Sequence, residues 1–274
     1  MSLFTVDQKE CRRDGLCVAE CPAKIIEIIG KEGFPTPIAG AEEHCLNCGH
    51  CVSICPHEAL SLKTMSPKDC LPVRKELLLS PEHCEHFLRS RRSIRSYKEK
   101  QVSRDLLQKL IETARYAPTG HNSQSVHWLV IEDPTEVRRM GGLVADWMRS
   151  LLAKRAEIAL SLYMDRIVES WDKRIDRILR NAPHLIVAHG LSTMPRSQSS
   201  CFIALTYLEL AAPSLGLGTC WAGYFTAAAN SYSPLQDALA LPQGHLTYGA
   251  AMVGYPKYRY QRMPPRNKPE IAWR

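Results

Sequence analysis

The sequence predicts an α+β protein built from two parts, a small cysteine-rich N-terminal part and a larger C-terminal domain. Seven of the eleven cysteines lie between Cys11 and Cys55, and the composition changes near residue 65. Beyond that point, apolar stretches with strand and helix periodicity alternate, which also leaves an α/β second domain open. We therefore expect domains at residues 1–65 and 83–274, joined by a proline-containing connector over residues 66–82.

Length and composition are those of a globular protein without a membrane-spanning segment. The chain has 274 residues, of which 45% are hydrophobic and 23% charged. The apolar stretch from Cys201 to Phe225 is interrupted by Glu209 and Pro213, so it predicts a buried helix and a strand rather than a membrane span. Because the N-terminal residues lack the apolar segment of a signal peptide, we expect a cytoplasmic protein.

The net charge of +7 is unevenly distributed along the chain. Residues 1–66 hold 6 Lys/Arg and 9 Asp/Glu, a net of −3, whereas the remainder carries a net of +10. A basic C-terminal part fits an anionic cofactor, an acidic protein partner or nucleic acid, and an ordinary solvated surface would carry the same charge. Charge alone therefore leaves the partner undecided.

The cysteines of the N-terminal part follow two similar spacings. In a reducing cytoplasm, clustered cysteines indicate metal rather than disulfides. Zinc is the alternative to iron, but zinc sites usually use two separated Cys-x2-Cys pairs or mixtures of Cys and His. Gly49 supplies the backbone freedom that a close approach to a cluster requires. The second run reads Cys45-x2-Cys48-x2-Cys51-x3-Cys55-Pro56, and the first reads Cys11-x2-Asp14-x2-Cys17-x3-Cys21-Pro22.

This pattern resembles a two-cluster bacterial ferredoxin over residues 1–65, in which the fourth cysteine of each run ligates the other cluster. The resemblance implies two [4Fe–4S] clusters with ligands that cross between the runs. Cluster I would use Cys11, Asp14, Cys17 and Cys55, and cluster II would use Cys45, Cys48, Cys51 and Cys21.

Asp14 is the one departure from that ligand pattern. A carboxylate suits iron in a sulfide cluster less well than a thiolate does. We hypothesise that cluster I has one labile iron, held by Asp14 or by water, and interconverts with a [3Fe–4S] form. Ligation of a stable four-iron cluster by Asp14 is the alternative. Three histidines beside the ligands are off the pattern and are interpreted as surface residues: His44, His50 and His57.

Apolar periodicity predicts the elements of the larger domain. A helix is expected to begin with Ser80 as N-cap and Pro81 as its first residue. Residues 135–180 are rich in helix patterns, and the basic tail after Pro256 is expected to form an arm. The remaining predictions are helices at 103–117 and 199–215 and strands at 127–132, 184–189, 218–225 and 248–254.

Four segments of this domain carry residues suited to a flavin. RRSIRSY at 91–97 brings arginines and hydroxyls together and can bind a phosphate through charge-assisted hydrogen bonds, although a solvated helix end would look similar. APTGHNSQ at 117–124, GLGTCWAGYF at 216–225 and GYP at 254–256 follow in order. A dinucleotide-binding Gly-x-Gly motif is excluded because the third glycine is missing.

In their order and spacing, these segments resemble the nitroreductase family over residues 83–274. The resemblance implies an α+β sandwich that binds FMN at a homodimer interface. It implies that the FMN phosphate is bound by basic and hydroxyl residues: Arg91, Arg92, Ser93, Arg95, Arg262 and Arg266. It implies that part of the flavin is reached from across the interface by Thr119, Asn122 and Gln124. The ring would be lined by Trp221, Ala222 and Gly223, with a backbone N–H directed at N5.

The two resemblances together imply an iron–sulfur flavoprotein oxidoreductase. Electrons would pass through two clusters to FMN and on to an electron-poor organic acceptor such as a nitro compound or a quinone. The donor is left open between NAD(P)H, a free ferredoxin and another reductase. One alternative is an electron-transfer module that serves a protein partner. The other alternative is a metal-stabilised nucleic-acid-binding protein. For the favoured oxidoreductase, we expect neither nucleic acid nor a membrane as a partner.

Overall fold

The computed structural model describes residues 3–274, which divide into two units. Unit 1 contains the described residues up to Leu78 together with Gly120–Ser123. Unit 2 contains Leu79–Thr119 and Gln124–Arg274. Among the helices of residues 3–274, none combines the length and apolar character that a membrane crossing needs.

Unit 1 is built from very short elements. Two pairs of antiparallel strands are formed, β1 with β4 and β2 with β3, and in the first pair Phe4 lies opposite Leu62. Single-turn 3-10 helices lie at Pro67–Asp69 and Lys75–Leu77, and Gly120–Asn122 forms a turn in which His121 is left-handed. The strands and α-helices are β1 (Phe4–Val6), α1 (Leu16–Glu20), β2 (Ile26–Ile28), β3 (Pro35–Pro37), α2 (Ala41–His44), α3 (His50–Ser53) and β4 (Leu60–Leu62).

The core of unit 1 contains cysteines as well as aliphatic side chains. Cys17, Cys21 and Cys51 are buried in the same cluster as Phe4 and Leu60. A unit of this size buries little apolar surface, and small domains commonly need metals or disulfides to fold stably. The burial of these thiols therefore places part of the stability of unit 1 on whatever they bind.

Unit 2 is organised around a four-stranded antiparallel sheet with the strand order β5-β6-β8-β7. An antiparallel sheet with helices outside it confirms the α+β prediction over the α/β alternative. The elements are α4 (Pro81–Ser90), α5 (Arg104–Ala114), β5 (His127–Ile131), α6 (Pro134–Ala153), α7 (Glu157–Ser161), α8 (Met164–Asp172), β6 (His184–Leu191), α9 (Ser197–Ala211), β7 (Gly218–Trp221), α10 (Gly223–Ala229), α11 (Ser233–Leu239) and β8 (His245–Gly254).

Both faces of this sheet are buried. Along β6 and β8 successive side chains alternate between two hydrophobic clusters, since side chains in a strand point to opposite faces. Leu185 and Val187 join a cluster with residues of α6, α8 and α10. Ile186 and Ala188 join a cluster with residues of α5 and α9. The sheet is therefore the middle layer of a helix–sheet–helix sandwich.

Most of the predicted elements are present with small shifts of their ends. Ser80 caps α4 by accepting a hydrogen bond from the backbone N–H of His83 at 3.2 Å, and Pro81 is the first helical residue. The strand predicted at 218–225 ends at Trp221, because Phe225 belongs to α10 and is fully buried there. Helix α11 was not among the predicted elements, although Ser233-Pro234 is a helix-start signal.

Candidate metal centres and candidate flavin site

One recess of unit 1 collects the four residues predicted to ligate cluster II. Cys45, Cys48 and Cys51 of the second run line it together with Cys21 of the first run. Its other walls include the apolar side chains of Phe4, Ile25, Ile26 and Leu62. Four sulfur donors in an apolar recess are the environment that an iron–sulfur cluster needs.

A second recess collects the residues predicted to ligate cluster I. Cys11, Asp14 and Cys17 of the first run line it together with Cys55 of the second run. Each recess therefore takes three positions from one run and the fourth from the other. This crossed arrangement is the one that the ferredoxin resemblance implies.

The backbone repeats between the two runs, including the torsion angles. The residues on either side of the second ligand position are left-handed in both: Arg13 and Gly15 around Asp14, and Asn47 and Gly49 around Cys48. A Cβ on Gly49 would lie 2.7 Å from the sulfur of Met65. The φ of 73° favours glycine at position 49, whereas a Cβ there would meet only the flexible end of the Met65 side chain. The shared left-handed positions make the two loops equivalent cradles.

Without a metal, the buried thiols of these recesses favour their protonated form. Burial is the main cause that raises the pKa of the Cys51 thiol to about 11, and it also raises the pKa of Cys17. At neutral pH a metal must therefore displace the proton, so metal binding and folding are coupled. Within residues 3–274, no three His, Cys, Asp or Glu side chains are placed so as to hold a single metal ion.

Asp14 has two polar neighbours inside its recess. Its Oδ1 accepts a hydrogen bond from the backbone N–H of Leu16 at 3.1 Å, and its Oδ2 lies 3.6 Å from Nε2 of His57. His57 is about one-third exposed, so it is a partly exposed residue that also lines the recess beside Asp14. Its position two residues after Cys55 was the available signal.

In unit 2, the predicted phosphate-binding segment lies beside two other predicted segments. The backbone N–H of Ile94 donates to the carbonyl of Thr219 in β7 at 2.8 Å, and Tyr97 pairs with Pro256 as an isolated bridge. A Cβ on Gly218 would lie 2.4 Å from Cγ1 of Ile94, which shows how closely the Ile94 side chain packs against β7. Residues 91–97, 216–223 and 254–256 are thus assembled into one region.

Glu209 links two of the predicted flavin residues, although Glu209 itself was not predicted to belong to the site. Its Oε1 accepts a hydrogen bond from the guanidinium of Arg91 at 2.8 Å, and its Oε2 accepts one from the indole N–H of Trp221 at 3.3 Å. Glu209 is nearly buried, with 9% exposure. It was regarded only as an interruption of an apolar stretch, and a charge within the buried face of a helix was the available signal.

An open groove of unit 2 lies next to this carboxylate. Arg91, Arg92 and Glu209 line it, and the guanidinium of Arg92 lies 5.3 Å from the centroid of the Tyr260 ring. Burial raises the pKa of the neighbouring Cys220 thiol, and the Arg95 charge and a hydrogen bond with Ser93 partly offset this rise. The groove offers positive charge and aromatic surface, which suit an anionic ring-containing ligand.

The predicted ring-lining residues lie at the junction of β7 and α10. The backbone N–H of Ala222 donates to the carbonyl of Ala250 at 2.8 Å, so it is engaged within the sheet. Gly223 is the first residue of α10, where N–H groups have no acceptor inside the helix. The backbone N–H of Gly223 is therefore a better candidate than that of Ala222 to donate a hydrogen bond to a flavin.

The predicted loop 119–124 is divided between the units. The Thr119 hydroxyl accepts a hydrogen bond from the backbone N–H of Gln124 at 3.0 Å, which closes the loop within unit 2. Asn122 belongs to unit 1, where its side chain bonds to the backbone of residues 46 and 47. His121, Asn122 and Gln124 all have positive φ, a conformation that residues other than glycine rarely adopt.

Arg262 and Arg266 are not placed in a formed site. Both lie in the exposed stretch 257–274, of which residues 259–274 have no regular secondary structure. No described contact links these two arginines to the region formed by residues 91–97 and 216–223. Their part in phosphate binding stays a prediction.

Known families and structures match this architecture. Residues 88–255 match the Nitroreductase family, and residues 4–56 match a 4Fe–4S dicluster domain. The chain belongs to the Nitroreductase family and carries an N-terminal 4Fe–4S dicluster domain. Both resemblances inferred from the motifs are thereby confirmed.

Individual relatives agree with this family. A putative NADH dehydrogenase/NAD(P)H nitroreductase of Archaeoglobus fulgidus is 26% identical over 181 residues, which are 64% of this chain and 87% of the relative. A nitroreductase with bound FMN from Bacteroides fragilis has a TM-score of 0.55 at 21% identity, covering 69% of this chain and 94% of that one. A nitroreductase with bound FMN from Desulfitobacterium hafniense has a TM-score of 0.54 at 22% identity, covering 71% of this chain and 99% of that one. The two structures establish the likeness of the fold.

Proposed function

We propose that this chain is a cytoplasmic FMN-dependent oxidoreductase that conducts electrons through two iron–sulfur clusters in unit 1 to an FMN held by unit 2. The acceptor is an electron-poor organic molecule such as a nitro compound or a quinone. FMN, when bound, supplies the two-electron chemistry, and the protein positions it and excludes competing reactions. The reducing cytoplasm would keep the ligand cysteines available for iron.

The observation that carries the proposal is the sorting of the eight predicted ligand residues into two recesses. Each recess holds four of them, three from one run and one from the other. A chance grouping of cysteines would not follow the crossed pairing. The dicluster match over residues 4–56 supports the same assignment.

The flavin part of the proposal rests on the region around Glu209. Residues 91–97 and β7 lie side by side there, and related structures from two bacteria contain bound FMN. We propose that Arg91, Arg92, Ser93 and Arg95 bind the phosphate. A homodimer would add the loop residues Thr119, Asn122 and Gln124 and the arginines Arg262 and Arg266. The half-exposed apolar face of α9, with Phe202, Ile203 and Tyr207, suits such an interface.

Cofactor content is the first test. Protein purified without oxygen should contain about eight irons, about eight sulfides and one FMN per chain if both recesses hold [4Fe–4S] clusters. Protein loaded with zinc, or lacking flavin, would overturn the proposal.

For the phosphate site, Arg95→Ala should weaken FMN binding about tenfold to a hundredfold, because a hydrogen bond to a charged group contributes about 1.5–3 kcal/mol. Arg89→Ala, which changes an exposed arginine paired with Glu85, is the control.

Cluster I is proposed to have a labile iron at Asp14. The carboxylate already has the Leu16 N–H and His57 as neighbours, which compete with iron for its oxygens. Electron paramagnetic resonance of mildly oxidised protein should show a three-iron signal, and Asp14→Cys should abolish it. Persistence of the four-iron form in the wild-type protein after oxidation would show that Asp14 holds its iron firmly.

The acceptor is tested by a screen of quinones and nitroaromatics with a chemical reductant. Turnover of a small molecule supports the enzyme, whereas failure of every small molecule supports the alternative of an electron-transfer module for a protein partner. The same assay run with NADH, NADPH or reduced ferredoxin identifies the class of donor.

A further inference from the structure

The side chain of Asn122 is hydrogen-bonded to the loop between two candidate ligands of cluster II. Within unit 1, its Nδ2 donates to the carbonyl oxygen of Asn47 at 2.9 Å and to that of Leu46 at 3.3 Å. Leu46 and Asn47 are the two residues between Cys45 and Cys48. One amide therefore contacts two of the three peptide groups between Cys45 and Cys48, where the chain curves around the recess.

Asn47 is the centre of a small network in that gap. Its backbone N–H donates to Sγ of Cys45 at 3.4 Å, and its side-chain Oδ1 accepts a hydrogen bond from the Thr64 hydroxyl. Its φ of 48° is left-handed, a conformation that asparagine tolerates better than most residues. The Asn47 N–H shares its peptide group with the carbonyl of Leu46, so the bond from Asn122 to Leu46 acts on the same peptide that donates to Cys45. The bond to the Asn47 carbonyl holds the next peptide of the gap.

We infer that Asn122 is a positioning residue for cluster II, which fixes the Cys45–Cys48 loop so that the Asn47 N–H points at the Cys45 sulfur. Hydrogen bonds to cluster sulfurs are one of the factors that set the reduction potential. The N–H stabilises the added negative charge of the reduced cluster more than the oxidised form. Loosening the loop should consequently lower the potential of cluster II.

The inference gives Asn122 a role beyond the flavin contact that the family resemblance implies. The amide nitrogen is committed to residues 46 and 47. By sequence, Asn122 lies between Thr119 and Gln124, the two other loop residues proposed to reach FMN. The inference rests on the proposed function only through the presence of a cluster in the recess of Cys21, Cys45, Cys48 and Cys51.

Asn122→Gly is the informative variant, since glycine accepts a φ of 51° without strain and has no side-chain donor. The potentials of both clusters are measured by anaerobic redox titration followed by electron paramagnetic resonance. Cluster II is assigned as the couple that Cys48→Ser moves. We expect Asn122→Gly to disfavour reduction of cluster II about tenfold, which for a one-electron couple is about 59 mV, and to leave cluster I unchanged.

His121→Gly is the matched control. His121 is the preceding residue, is exposed and has a φ of 54°, so this variant introduces the same backbone freedom without removing the amide. A cluster II potential that is lowered in Asn122→Gly and unchanged in His121→Gly supports the inference. Equal potentials in the two glycine variants would overturn it.

A second variant guards against loss of the cluster. If Asn122→Gly is purified without cluster II, Asn122→Ser is titrated, because its hydroxyl keeps one shorter donor. A shift smaller than tenfold but in the same direction supports the inference, and a wild-type potential overturns it. Absence of clusters from the wild-type protein would instead refute the proposed function, so the two failures are distinguishable.

Discussion

At the scale of single residues, the pair Arg91–Glu209 determines how positive charge is presented in unit 2. The carboxylate side chain is 10% exposed and the guanidinium 28%, so both are largely withdrawn from water. Such a pair is costly to break, because removing one partner leaves the other charge buried without compensation. Glu209 therefore orients Arg91 and, through the second oxygen, Trp221.

Substitution of this carboxylate by its neutral isostere tests that role. Glu209→Gln should lower the free energy of unfolding of unit 2 by about 1–2 kcal/mol, since the residual exposure of Arg91 moderates the loss. Urea unfolding followed by tryptophan fluorescence measures it, because all five tryptophans belong to unit 2. Glu85→Gln, which breaks an exposed pair with Arg89, should cost less than about 0.5 kcal/mol. Equal losses in the two variants would contradict the assignment.

Individual ligands were predictable from spacing, whereas their neighbours were not. Cys45, Cys48 and Cys51 are close in sequence, so a local pattern already predicts a common cradle. The contact of His57 with Asp14 and that of Glu209 with Arg91 join residues 43 and 118 positions apart, and no local period encodes them. Only tertiary packing brings these charges together.

At the scale of elements, the packing of residues 91–97 against β7 depends on a glycine. A Cβ at position 218 would lie 2.4 Å from Cγ1 of Ile94 and 2.9 Å from Cγ of Pro256. Real Cβ atoms do not approach that closely, so the segment must move if the residue is changed. The absence of a side chain at this position thus holds the predicted phosphate segment in place.

Gly218→Ala should therefore destabilise unit 2 by about 1–3 kcal/mol, the range for overpacked interiors. Gly142→Ala is a matched control inside α6, since its Cβ would meet Trp171 at an ordinary 3.7 Å. Alanine is the better helix former, so the control should be stabilised by about 0.5–1 kcal/mol. Thermal unfolding of both variants gives the comparison, and a stable Gly218→Ala protein would show that the segment can shift freely.

Three histidines from adjacent strands make unit 2 sensitive to acid. His189 of β6 is buried, and its Nδ1 lies 3.0 Å from Nδ1 of His245 in β8, with the His127 ring of β5 4.8 Å from that of His245. Burial, followed by the charges of His245 and His127, lowers the pKa of His189 to about 4. The folded pKa is below the unfolded value of about 6.5, so neutral His189 favours folding above pH 6.5.

That stabilisation should be lost as the pH falls from 6.5 towards 4. Between pH 7 and pH 5 the free energy of unfolding should decrease by about 1–2 kcal/mol more in the wild-type protein than in His189→Asn. Urea titrations of both proteins at the two pH values measure the difference. His86→Asn, at an exposed position of α4, should keep the wild-type pH dependence; an identical pH dependence in His189→Asn would refute the prediction.

Elements were predictable where periodicity was strong. The strands β6 and β8 and the helix α5 follow from apolar patterns alone, with ends shifted by a few residues. The end of β7 was not predictable, because Trp221 to Phe225 is apolar whether it continues as a strand or turns into α10. Burial of Phe225 within the core decided between these two conformations.

At the scale of the whole molecule, stability is unequally divided between the units. Unit 1 has strands of only three residues and a core that includes three candidate ligands. Unit 2 has a four-stranded sheet buried on both faces. We therefore expect unit 1 to depend on iron and unit 2 to remain folded without it.

Iron removal with a chelator under anaerobic conditions tests this division. Limited proteolysis should then cut within the unit 1 segments 3–78 and Gly120–Ser123, while unit 2 otherwise resists and the tryptophan emission stays native. Protein that retains its iron should resist cleavage in both units. Equal sensitivity of the two units after iron removal would show that they unfold together.

Domain organisation was readable from composition, but membership of loop 120–123 was not. Cysteine density and the change near residue 65 indicate two parts. The assignment of Gly120–Ser123 to unit 1 depends on contacts with residues more than 70 positions away, such as those of Asn122. A contact at that separation has no counterpart in local sequence patterns.

The exchange of Cys21 and Cys55 between the two recesses limits which truncated chains can contain a complete set of predicted ligands. Neither cysteine run can complete its own recess, so a fragment ending before Cys45 has two incomplete sets instead of one complete one. A chain cut between the two runs would therefore hold neither predicted cluster. During synthesis the predicted ligand set of cluster II would be complete only at Cys51, and that of cluster I only at Cys55.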